Sequence, residues 1–353
     1  MVNILTIDLE DYFMVSAFEG VVKRENWAKY ESRIERNTHR LLEILAEAKP
    51  CSSELHSSNP VPCTPHPAPG VKATFFCLGW VAEHHPHLIK EIHQRGHEIA
   101  CHGYDHQLIY KMTPHQFRED IRKGKKILEN IVGEGVWGYR APSYSITERS
   151  LWAFEILVEE GFRYDSSVFP IWHDRYGIAN APRFPFVIPV NGNSDFESKI
   201  ALNFELQTPK LGMCASAAVT RNSNQQFAIR NSQWILEFPI STVRLFGQNI
   251  PLSGGGYFRL LPYRMVKGGL RKICETERMP FVFYVHPWEI DPDQPRFRNC
   301  NRLSRFRHYV NLGKTESRFR KLLNDFHFSP IRDVAHLDCW MVTQTISKNN
   351  QPK

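Results

Sequence analysis

The sequence predicts an α/β fold, most simply a distorted (β/α)7 barrel with insertions and a C-terminal extension. Seven short apolar runs with the residue types of β-strands recur along the chain, and helix-like segments separate most of them. Polar motifs come directly after several of these runs. Because the carboxyl ends of the parallel strands of a barrel converge on one rim, this pattern indicates an active site at that rim.

The predicted strands are rich in β-branched and aromatic residues. A helix between two strands returns the chain to the same end of the sheet, so the pattern implies parallel pairing. The seven predicted strands are Asn3–Asp8, Lys72–Cys77, His97–Cys101, Val136–Tyr139, Phe162–Asp165, Ile235–Ile240 and Pro280–Val285.

Capping residues and apolar periodicity mark the helices between these strands. Thr113 and Pro114 supply an N-cap and a first-turn proline, and Gln116 completes a capping box. Thr147 caps a further helix, which Gly161 ends. Apolar faces predict three more helices, namely Asn37–Ala48 with Asn37 as its cap, Val81–Arg95 closed by Gly96, and Glu316–Phe326.

Two segments interrupt the alternation of strands and helices. Pro50–Gly70 holds six prolines and four serines, which predicts an extended or disordered loop on the face opposite the active rim. Gly192–Ser232 is polar and is predicted to be a lid, an added subdomain or a flexible insertion. No structural zinc is predicted in the first segment, although it contains zinc-type residues without finger spacing, namely Cys51, His56, Cys63 and His66.

Composition excludes several classes of function. The 353-residue chain has a formal net charge of +7 but no dense block of Lys and Arg, so nucleic acid is not a predicted partner. No run of 18 or more apolar residues and no signal-peptide pattern is present, which predicts a cytoplasmic protein without a transmembrane segment. The eight cysteines show no paired spacing, and Cys77 and Cys101 are predicted to pack in the core. The oligomeric state is left open.

Two motifs together predict a metal site. His102 and His106 follow the third strand, and the acidic motif Asp8–Asp11 follows the first. An isolated pair of histidines four residues apart is more often two ordinary packed or surface side chains. Here the carboxylates end a second strand, so the pair with Glu10 or Asp11 predicts a two-histidine, one-carboxylate site for a divalent ion, most simply Zn²⁺.

Other strand-end residues suggest proton transfer. One carboxylate of the first motif has to act as a general base beside the metal, and the residues alone do not say which. Arg140 would hold this base ionised, and Asp165 would fix the arginine, although each alone is more often a surface ion-pair partner. His286 ends the seventh strand, which makes it a candidate general acid, although a lone histidine on an apolar strand usually packs structurally.

Aromatic and turn residues near these positions are candidates for binding substrate. Pro142, Ser143 and Tyr144 follow Arg140 in a rigid turn, in which the backbone N–H of Ser143 would face a developing oxyanion. Tyr144 and Trp288 would stack on a sugar face, and buried aromatic packing is the alternative for both.

Taken in order, the motifs resemble those of the polysaccharide deacetylases of carbohydrate esterase family 4. Ala73–Phe76, Gly96–Ile99 and Tyr164–Ser167 add to the resemblance, which covers residues 1–295 apart from the two insertions. It implies a distorted (β/α)7 catalytic barrel, a divalent metal that is often zinc, and hydrolysis of N-acetyl or O-acetyl groups of glycans.

A narrower resemblance concerns the last third of the chain. Phe283–Pro292, Gly254–Arg259 and Arg307–Tyr309 are similar to the subgroup associated with exosortase and exopolysaccharide gene clusters. Members of that subgroup carry an added C-terminal region, which here corresponds to residues 296–353.

The resemblance also implies roles for individual residues. Asp8 corresponds to the base and His286 to the acid, and both histidines of the pair correspond to metal ligands. The common first motif has two adjacent aspartates before a glycine, and this chain departs from it. A variant in which base and ligand stand two residues apart favours Glu10 as the carboxylate ligand, with Asp11 as the alternative.

The predicted function is metal-dependent hydrolytic removal of N-acetyl groups from a saccharide in exopolysaccharide biosynthesis. The predicted partner is an N-acetylated saccharide or a lipid-linked or nucleotide-linked glycan precursor. One alternative is an amidohydrolase that acts on a non-sugar amide with the same fold. Another is a catalytically inactive carbohydrate-binding protein, which would require a broken set of site residues, whereas every position is filled.

Overall fold

A computed structural model describes residues 1–49, 70–190 and 234–335 of the chain. The predicted insertion at 192–232, the predicted loop at 50–70 except its last residue, and the extension after residue 335 lie outside these ranges. The group of Cys51, His56, Cys63 and His66 also lies outside them. The described residues form one large sheet, a small two-stranded hairpin and the helices that pack on them.

Most strands are short, and the parallel strands at the centre of the large sheet are almost entirely buried. Their bounds are β1 Val2–Leu9, β2 Thr74–Cys77, β3 Glu98–Cys101, β4 Gly138–Tyr139, β5 Tyr164–Asp165, β6 Phe186–Pro189, β7 Trp234–Glu237, β8 Thr242–Leu245, β9 Gln248–Pro251, β10 Val282–Val285 and β11 His327–Ser329. All seven predicted strands are present as β1, β2, β3, β4, β5, β7 and β10, several of them shorter than predicted.

These seven strands run parallel and follow one another in the order β10-β1-β2-β3-β4-β5-β7. The α/β class and the parallel sheet that the alternation of strands and helices predicts are therefore confirmed. β6 pairs antiparallel with β7 at the edge, and β8 and β9 form the separate hairpin. β11 lies beside the first residues of β1, so part of the predicted C-terminal extension joins the same sheet.

The gap between β7 and β10 is where the sheet departs from a regular barrel. The backbone N–H of Val282 donates to the Ser241 side chain at 2.8 Å, and that of Tyr284 donates to the Ser253 carbonyl at 3.1 Å. Gly254 forms a single parallel bridge with Tyr284. At Gly254, where φ is +141°, a Cβ would lie 2.3 Å from the Tyr284 carbonyl oxygen, so this approach requires glycine. Isolated contacts thus span the gap in place of a regular strand ladder.

Helices connect most of the parallel strands. Their bounds are Ile34–Glu47, Gly79–His84, Pro86–Gln94, Pro114–Val132, Trp152–Glu159, Gly255–Leu260, Tyr263–Arg271, Arg302–Tyr309, Leu312–Asp325 and Ile331–Val334. None of the helices in the described ranges has the length and apolar character needed to span a bilayer.

Three of the predicted helices have boundaries that differ from those observed, and one of them, Glu316–Phe326, begins at Leu312. The predicted helix Val81–Arg95 breaks at Pro86, because proline has no N–H to continue the first helix and starts the second. The first helix begins at Ile34 and not at Asn37. Asn37 is not a cap, because its side-chain amide donates to Asp291 at 3.3 Å.

The predicted caps at the two later helices are confirmed. The Thr113 hydroxyl accepts from the Gln116 backbone N–H at 3.3 Å, and the Gln116 side chain accepts from the Thr113 N–H at 2.8 Å. Thr147 opens the turn that leads into Trp152–Glu159, and Gly161 with a φ of +82° follows that helix. Cys77 and Cys101 are free and fully buried in β2 and β3, as expected for small core residues.

We expect Ser241→Ala to destabilise the fold although the side chain it removes is small. The substitution leaves the buried N–H of Val282 without an acceptor at the gap between β7 and β10. An unsatisfied buried donor costs about 1–3 kcal/mol, so the free energy of unfolding in urea should fall by about that amount. Ser317→Ala, on an exposed helix position, is the control and should leave the unfolding midpoint unchanged.

Candidate metal centre and active site

The predicted motifs meet because the ends of the parallel strands are level. Paired Cα positions run across five neighbouring strands at their carboxyl ends, from Leu9 to Cys77, to Cys101, to Tyr139 and to Asp165. The residues that follow these positions therefore emerge side by side on one rim. Residues far apart in the sequence become neighbours there.

Glu10, His102 and His106 form a buried cluster at this rim. Nε2 of His106 lies 2.8 Å from Oε2 of Glu10, and one potential ligand atom from each residue lies within 4.8 Å of the others. The exposed fractions are 2% for Glu10, 2% for His102 and 4% for His106. The cluster has the two-histidine, one-carboxylate composition that binds a divalent ion with positions left open.

The donor atoms of this cluster fit a metal. Nδ1 of His102 lies 2.7 Å from the carbonyl oxygen of Arg140, so the tautomer that donates this hydrogen bond presents the Nε2 lone pair to an ion. Burial lowers the pKa of His102 to about 4, which keeps the ring neutral as a ligand must be. Oε2 of Glu10 is buried, and the polar atom beside it at 2.8 Å is Nε2 of His106, which is itself a candidate ligand atom.

Glu10 stays ionised in this buried place. Burial raises the pKa of a carboxyl group, but the neighbouring His106, together with His286 and His102, outweighs it and lowers the pKa of Glu10 to about 2. A charged carboxylate between imidazoles supplies the negative charge that a divalent cation needs.

Asp11 lies outside the cluster. One of its carboxylate oxygens accepts from the Ser32 hydroxyl and the Arg33 N–H, both at 2.8 Å, and the other accepts from the Tyr12 N–H at 2.9 Å. These bonds make Asp11 a brace for the loop after β1. Of the two candidate carboxylates, the structure places only Glu10 with the histidines, because the chain turns after Glu10 and directs Asp11 away.

Asp8 and Arg140 form a buried ion pair next to the cluster. Nη1 of Arg140 donates to Oδ1 of Asp8 at 2.6 Å and to the Thr6 hydroxyl at 2.8 Å, and Nε donates to the Ser166 carbonyl at 3.0 Å. Burial lowers the pKa of an arginine, but Asp8 outweighs it, so the pKa of Arg140 is raised and the guanidinium stays charged. The predicted contact between Arg140 and the carboxylate at position 8 is present.

Asp165 does not hold Arg140 by a hydrogen bond, which corrects its predicted role. Its carboxylate accepts from the N–H and the hydroxyl of Ser167 at 2.8 and 2.7 Å. Burial and the nearby Asp165 charge raise the pKa of Glu237. Ser166, the residue after β5, occupies the place beside the guanidinium that was predicted for Asp165. Its carbonyl oxygen accepts from Nε of Arg140 and its hydroxyl accepts from Nη2.

His286 reaches the same site from β10. Its Nε2 lies 3.3 Å from Oε1 of Glu10 and 3.8 Å from Oδ2 of Asp8, and its Nδ1 lies 2.5 Å from Oε1 of Glu289. Burial lowers the pKa of a histidine, but the hydrogen bond to Glu289 and the charges of Glu10 and Asp8 outweigh it and raise the pKa of His286 to about 9. A protonated imidazole therefore faces the two carboxylates.

Glu289 and Arg259 are site residues that the sequence reasoning missed. Oε2 of Glu289 accepts from Nε of Arg259 at 2.8 Å, and both side chains are fully buried. Glu289 had a sequence signal, since it follows His286 by three residues, a spacing that allows contact across one turn. Arg259 ends one of the motifs that carry the narrower resemblance, but nothing in the sequence links it to Glu289, because it comes from a distant helix.

The aromatic residues are packed and do not offer a free face. Trp288 is 4% exposed and lies between the rings of His286 and His308, at centroid distances of 5.0 and 4.1 Å. Both of its faces are covered, so the predicted sugar stacking by Trp288 is wrong. Tyr144 is 7% exposed and packs edge-on against Tyr284, at a centroid distance of 5.2 Å, so it too is a packing residue.

The turn Pro142–Tyr144 lies at the end of β4, where it was predicted. Ser143 and Tyr144 both have a positive φ, +53° and +55°. The Tyr144 N–H donates to the Ala141 carbonyl at 3.0 Å, and the Ser143 hydroxyl lies 2.9 Å from that of Ser16. The oxyanion role of the Ser143 N–H stays a prediction.

A second group with metal-type side chains lies on the surface. His85 and His87, on either side of the break at Pro86, both contact Oε1 of Glu35, at 2.6 and 3.0 Å. Because Glu35 and His87 are 42% and 63% exposed, the contacts are surface ion pairs that are screened by solvent.

Comparisons with known proteins agree with the site. The sequence model of the polysaccharide deacetylase family matches residues 68–158, and that of a domain of unknown function, DUF3473, matches residues 212–336. Residues 68–158 are thus similar to polysaccharide deacetylases. The family resemblance predicted from the motifs is thus confirmed at this level, and the exosortase- and exopolysaccharide-associated subgroup stays a prediction.

Two curated relatives match part of the chain. The chain is 40% identical over 86 residues to a peptidoglycan-N-acetylglucosamine deacetylase of Bacillus cereus, covering 24% of this chain and 31% of that protein. It is 33% identical over 96 residues to a peptidoglycan deacetylase of Helicobacter pylori, covering 27% and 32%. The chain thus spans about a third of the length of the curated relatives that it matches.

Among solved structures, a Mycobacterium smegmatis protein assigned to the polysaccharide deacetylases has a TM-score of 0.49 at 15% sequence identity. That likeness covers 100% of this chain and 94% of the other. The strand order and register of the chain itself carry the assignment to the α/β class.

We expect His102→Ala and Glu10→Gln to abolish high-affinity binding of one divalent ion, because each removes a ligand atom from the cluster. Asp11→Asn should retain the ion, because its carboxylate points into the loop. Elemental analysis after dialysis measures the ion content. His87→Ala serves as the control for adventitious binding at the surface group. Equal ion content in wild type and His102→Ala would contradict the assignment.

Proposed function

We propose that the chain is a metal-dependent hydrolase that removes N-acetyl groups from a saccharide in exopolysaccharide biosynthesis. The observation that carries this proposal is the meeting of three groups at one buried rim. They are the ligand cluster with Glu10, the Arg140–Asp8 pair and the imidazole of His286. Metal-assisted deacetylation of an amide uses these three functions together, namely an electrophilic ion, a base and an acid.

The ion, when bound by Glu10, His102 and His106, would supply Lewis-acid chemistry, lowering the pKa of water and polarising the acetyl carbonyl. Asp8 takes the proton from the attacking water. Arg140 holds the Asp8 carboxylate in one orientation, since its donors also bind Thr6 and Ser166 and leave it little freedom.

His286 acts on the other side of the reaction. When the C–N bond breaks, its electron pair goes to the nitrogen of the sugar, and an amine leaves readily only if it is protonated. Nε2 of His286 gives that proton, and the raised pKa keeps the ring protonated in the resting protein. The backbone N–H of Ser143 is the proposed donor to the oxyanion.

The finer features of the proposal are the sugar, the ion and the setting. We propose Zn²⁺ because two imidazoles and one carboxylate suit it. An N-acetylated glycan precursor in the cytoplasm is the proposed substrate. Residues 1–295 are the proposed catalytic barrel and 296–353 the proposed extension.

The test is acetate release from a panel of N-acetylated oligosaccharides and lipid-linked or nucleotide-linked N-acetyl sugars. We expect release from at least one saccharide, loss of release with a chelator and recovery on adding Zn²⁺. The panel includes non-sugar amides. Turnover of these amides alone would favour the amidohydrolase alternative. Binding without turnover would favour an inactive carbohydrate-binding protein.

We expect Asp8→Asn to lower turnover by roughly two to four orders of magnitude, the usual contribution of a general base. The amide keeps the shape of the side chain and removes the proton acceptor. The ion content of this variant should stay equal to that of the wild type. If Asp8→Asn loses the ion while Glu10→Gln keeps it, the proposed roles of Asp8 and Glu10 are exchanged.

The rate of the wild type should fall as the pH rises through the pKa of His286, about 9 with Glu289, Glu10 and Asp8 around it. Above that pH the imidazole is neutral and has no proton to give from Nε2. His286→Ala should lose most of the rate and also this alkaline limb of the pH–rate profile, with normal ion content. An unchanged profile in the variant would return His286 to a packing role.

A further inference from the structure

The residues around His286 form a buried chain of charged contacts. Oε1 of Glu289 accepts from Nδ1 of His286 at 2.5 Å and from its backbone N–H at 3.2 Å. Oε2 of the same carboxylate accepts from Nε of Arg259 at 2.8 Å. Both oxygens of a carboxylate that is 0% exposed are therefore used, one by the histidine and one by the arginine.

Arg259 is anchored in its turn by the backbone. The guanidinium is 2% exposed, and Nη1 donates to the carbonyl oxygens of His308 and Val310, the latter at 3.2 Å. These carbonyls lie at the end of the helix Arg302–Tyr309. Because the guanidinium is buried, it is not exposed to substrate, and its charge acts on groups inside the protein.

The ring of His286 is also held on its face. Trp288 stacks on His286 with a ring angle of 26°, and His308 stacks on the other side of Trp288 with a ring angle of 14°. Nε2 of His308 lies 2.8 Å from the Gln294 side chain, which fixes that ring as well. His286 therefore has one accessible orientation, with Nε2 towards Asp8 and Glu10.

The four side chains of this arrangement, Arg259, His286, Glu289 and His308, all come from the segment 212–336 that matches the domain of unknown function. The ligand pair His102 and His106 comes instead from the segment that matches the deacetylase family. Both matched segments thus contribute residues that contact Glu10 in one site.

We infer that Arg259 and Glu289 are positioning residues for the proton donor His286, so that the segment 212–336 completes the active site of the deacetylase segment. This inference rests on the proposed function, since it assigns the proton of Nε2 to the leaving nitrogen. Glu289 fixes the tautomer and the ring, and Arg259 fixes Glu289. Removing such an outer partner typically costs 10–100-fold in activity.

The experiment compares two substrates that differ in their need for a proton donor. An N-acetylated oligosaccharide has an amine leaving group that must be protonated, whereas 4-nitrophenyl acetate has a leaving group that departs without a proton. Glu289→Gln keeps the shape and removes the charge. Arg259→Lys keeps the charge and removes the forked contact with the carboxylate and carbonyls.

We expect both variants to lose about 10–100-fold in kcat on the oligosaccharide and less than about threefold on the ester, with KM and ion content unchanged. Arg318→Gln is the matched control, because Arg318 donates to the Arg259 carbonyl at 2.7 Å without touching Glu289. The control should lose little on either substrate. Equal losses on both substrates in Glu289→Gln, or no loss on the oligosaccharide, would overturn the inference.

A spectroscopic measurement tests the contact without turnover. A proton in a short hydrogen bond between an imidazole and a carboxylate resonates far downfield in the proton NMR spectrum, and the bond of His286 to Glu289 should give such a signal. The signal should disappear in Glu289→Gln and His286→Ala and shift in Arg259→Lys, while Arg318→Gln retains it. Its absence from the wild type would refute the positioning role. If it is present while no substrate is turned over, the proposed function fails and the contact stands.

Discussion

The guanidinium of Arg140 is the constraint on which the site depends. Its nitrogen atoms donate hydrogen bonds to Asp8 at the end of β1 and to Ser166 after β5. The backbone carbonyl of Arg140 accepts a hydrogen bond from the ring of His102 after β3. A single fully buried residue therefore sets the orientation of the proposed base and of one proposed metal ligand. A buried charge is tolerable only with this degree of pairing, and removing its partner would leave it unpaired at a cost of several kcal/mol.

The strand register makes this arrangement possible. Because β1 to β5 end at the same level, short side chains from different strands can meet without long loops. The chain supplies the other half of the site from β10, which pairs with β1 on the opposite side. The buried charges follow the same division. Arg140 is paired with Asp8, and the pair of Glu289 and Arg259 lies next to His286. Each proposed proton-transfer group thus has its own buried counter-charge.

Patterns of local sequence predicted much of this structure, and the errors have physical causes. The seven parallel strands follow from apolar runs, since a buried strand must be apolar whatever surrounds it. The break at Pro86 was visible in the sequence and was outweighed by the apolar periodicity around it. Asn37 looked like a cap because its residue type favours caps. In the fold, its side-chain amide donates a hydrogen bond to Asp291, which is more than 250 residues away in the sequence.

The sequence by itself determined the class of fold, the segments that form the parallel strands and the polar motifs that follow them, because these can be read from periodicity and from residues next to strand ends. Only the tertiary structure decided between Glu10 and Asp11, replaced Asp165 by Ser166 beside Arg140, covered both faces of Trp288 and brought Arg259 to Glu289. The physical reason is that these choices depend on side-chain direction and on contacts between distant segments. Spacing along a chain specifies neither until the strands are in register.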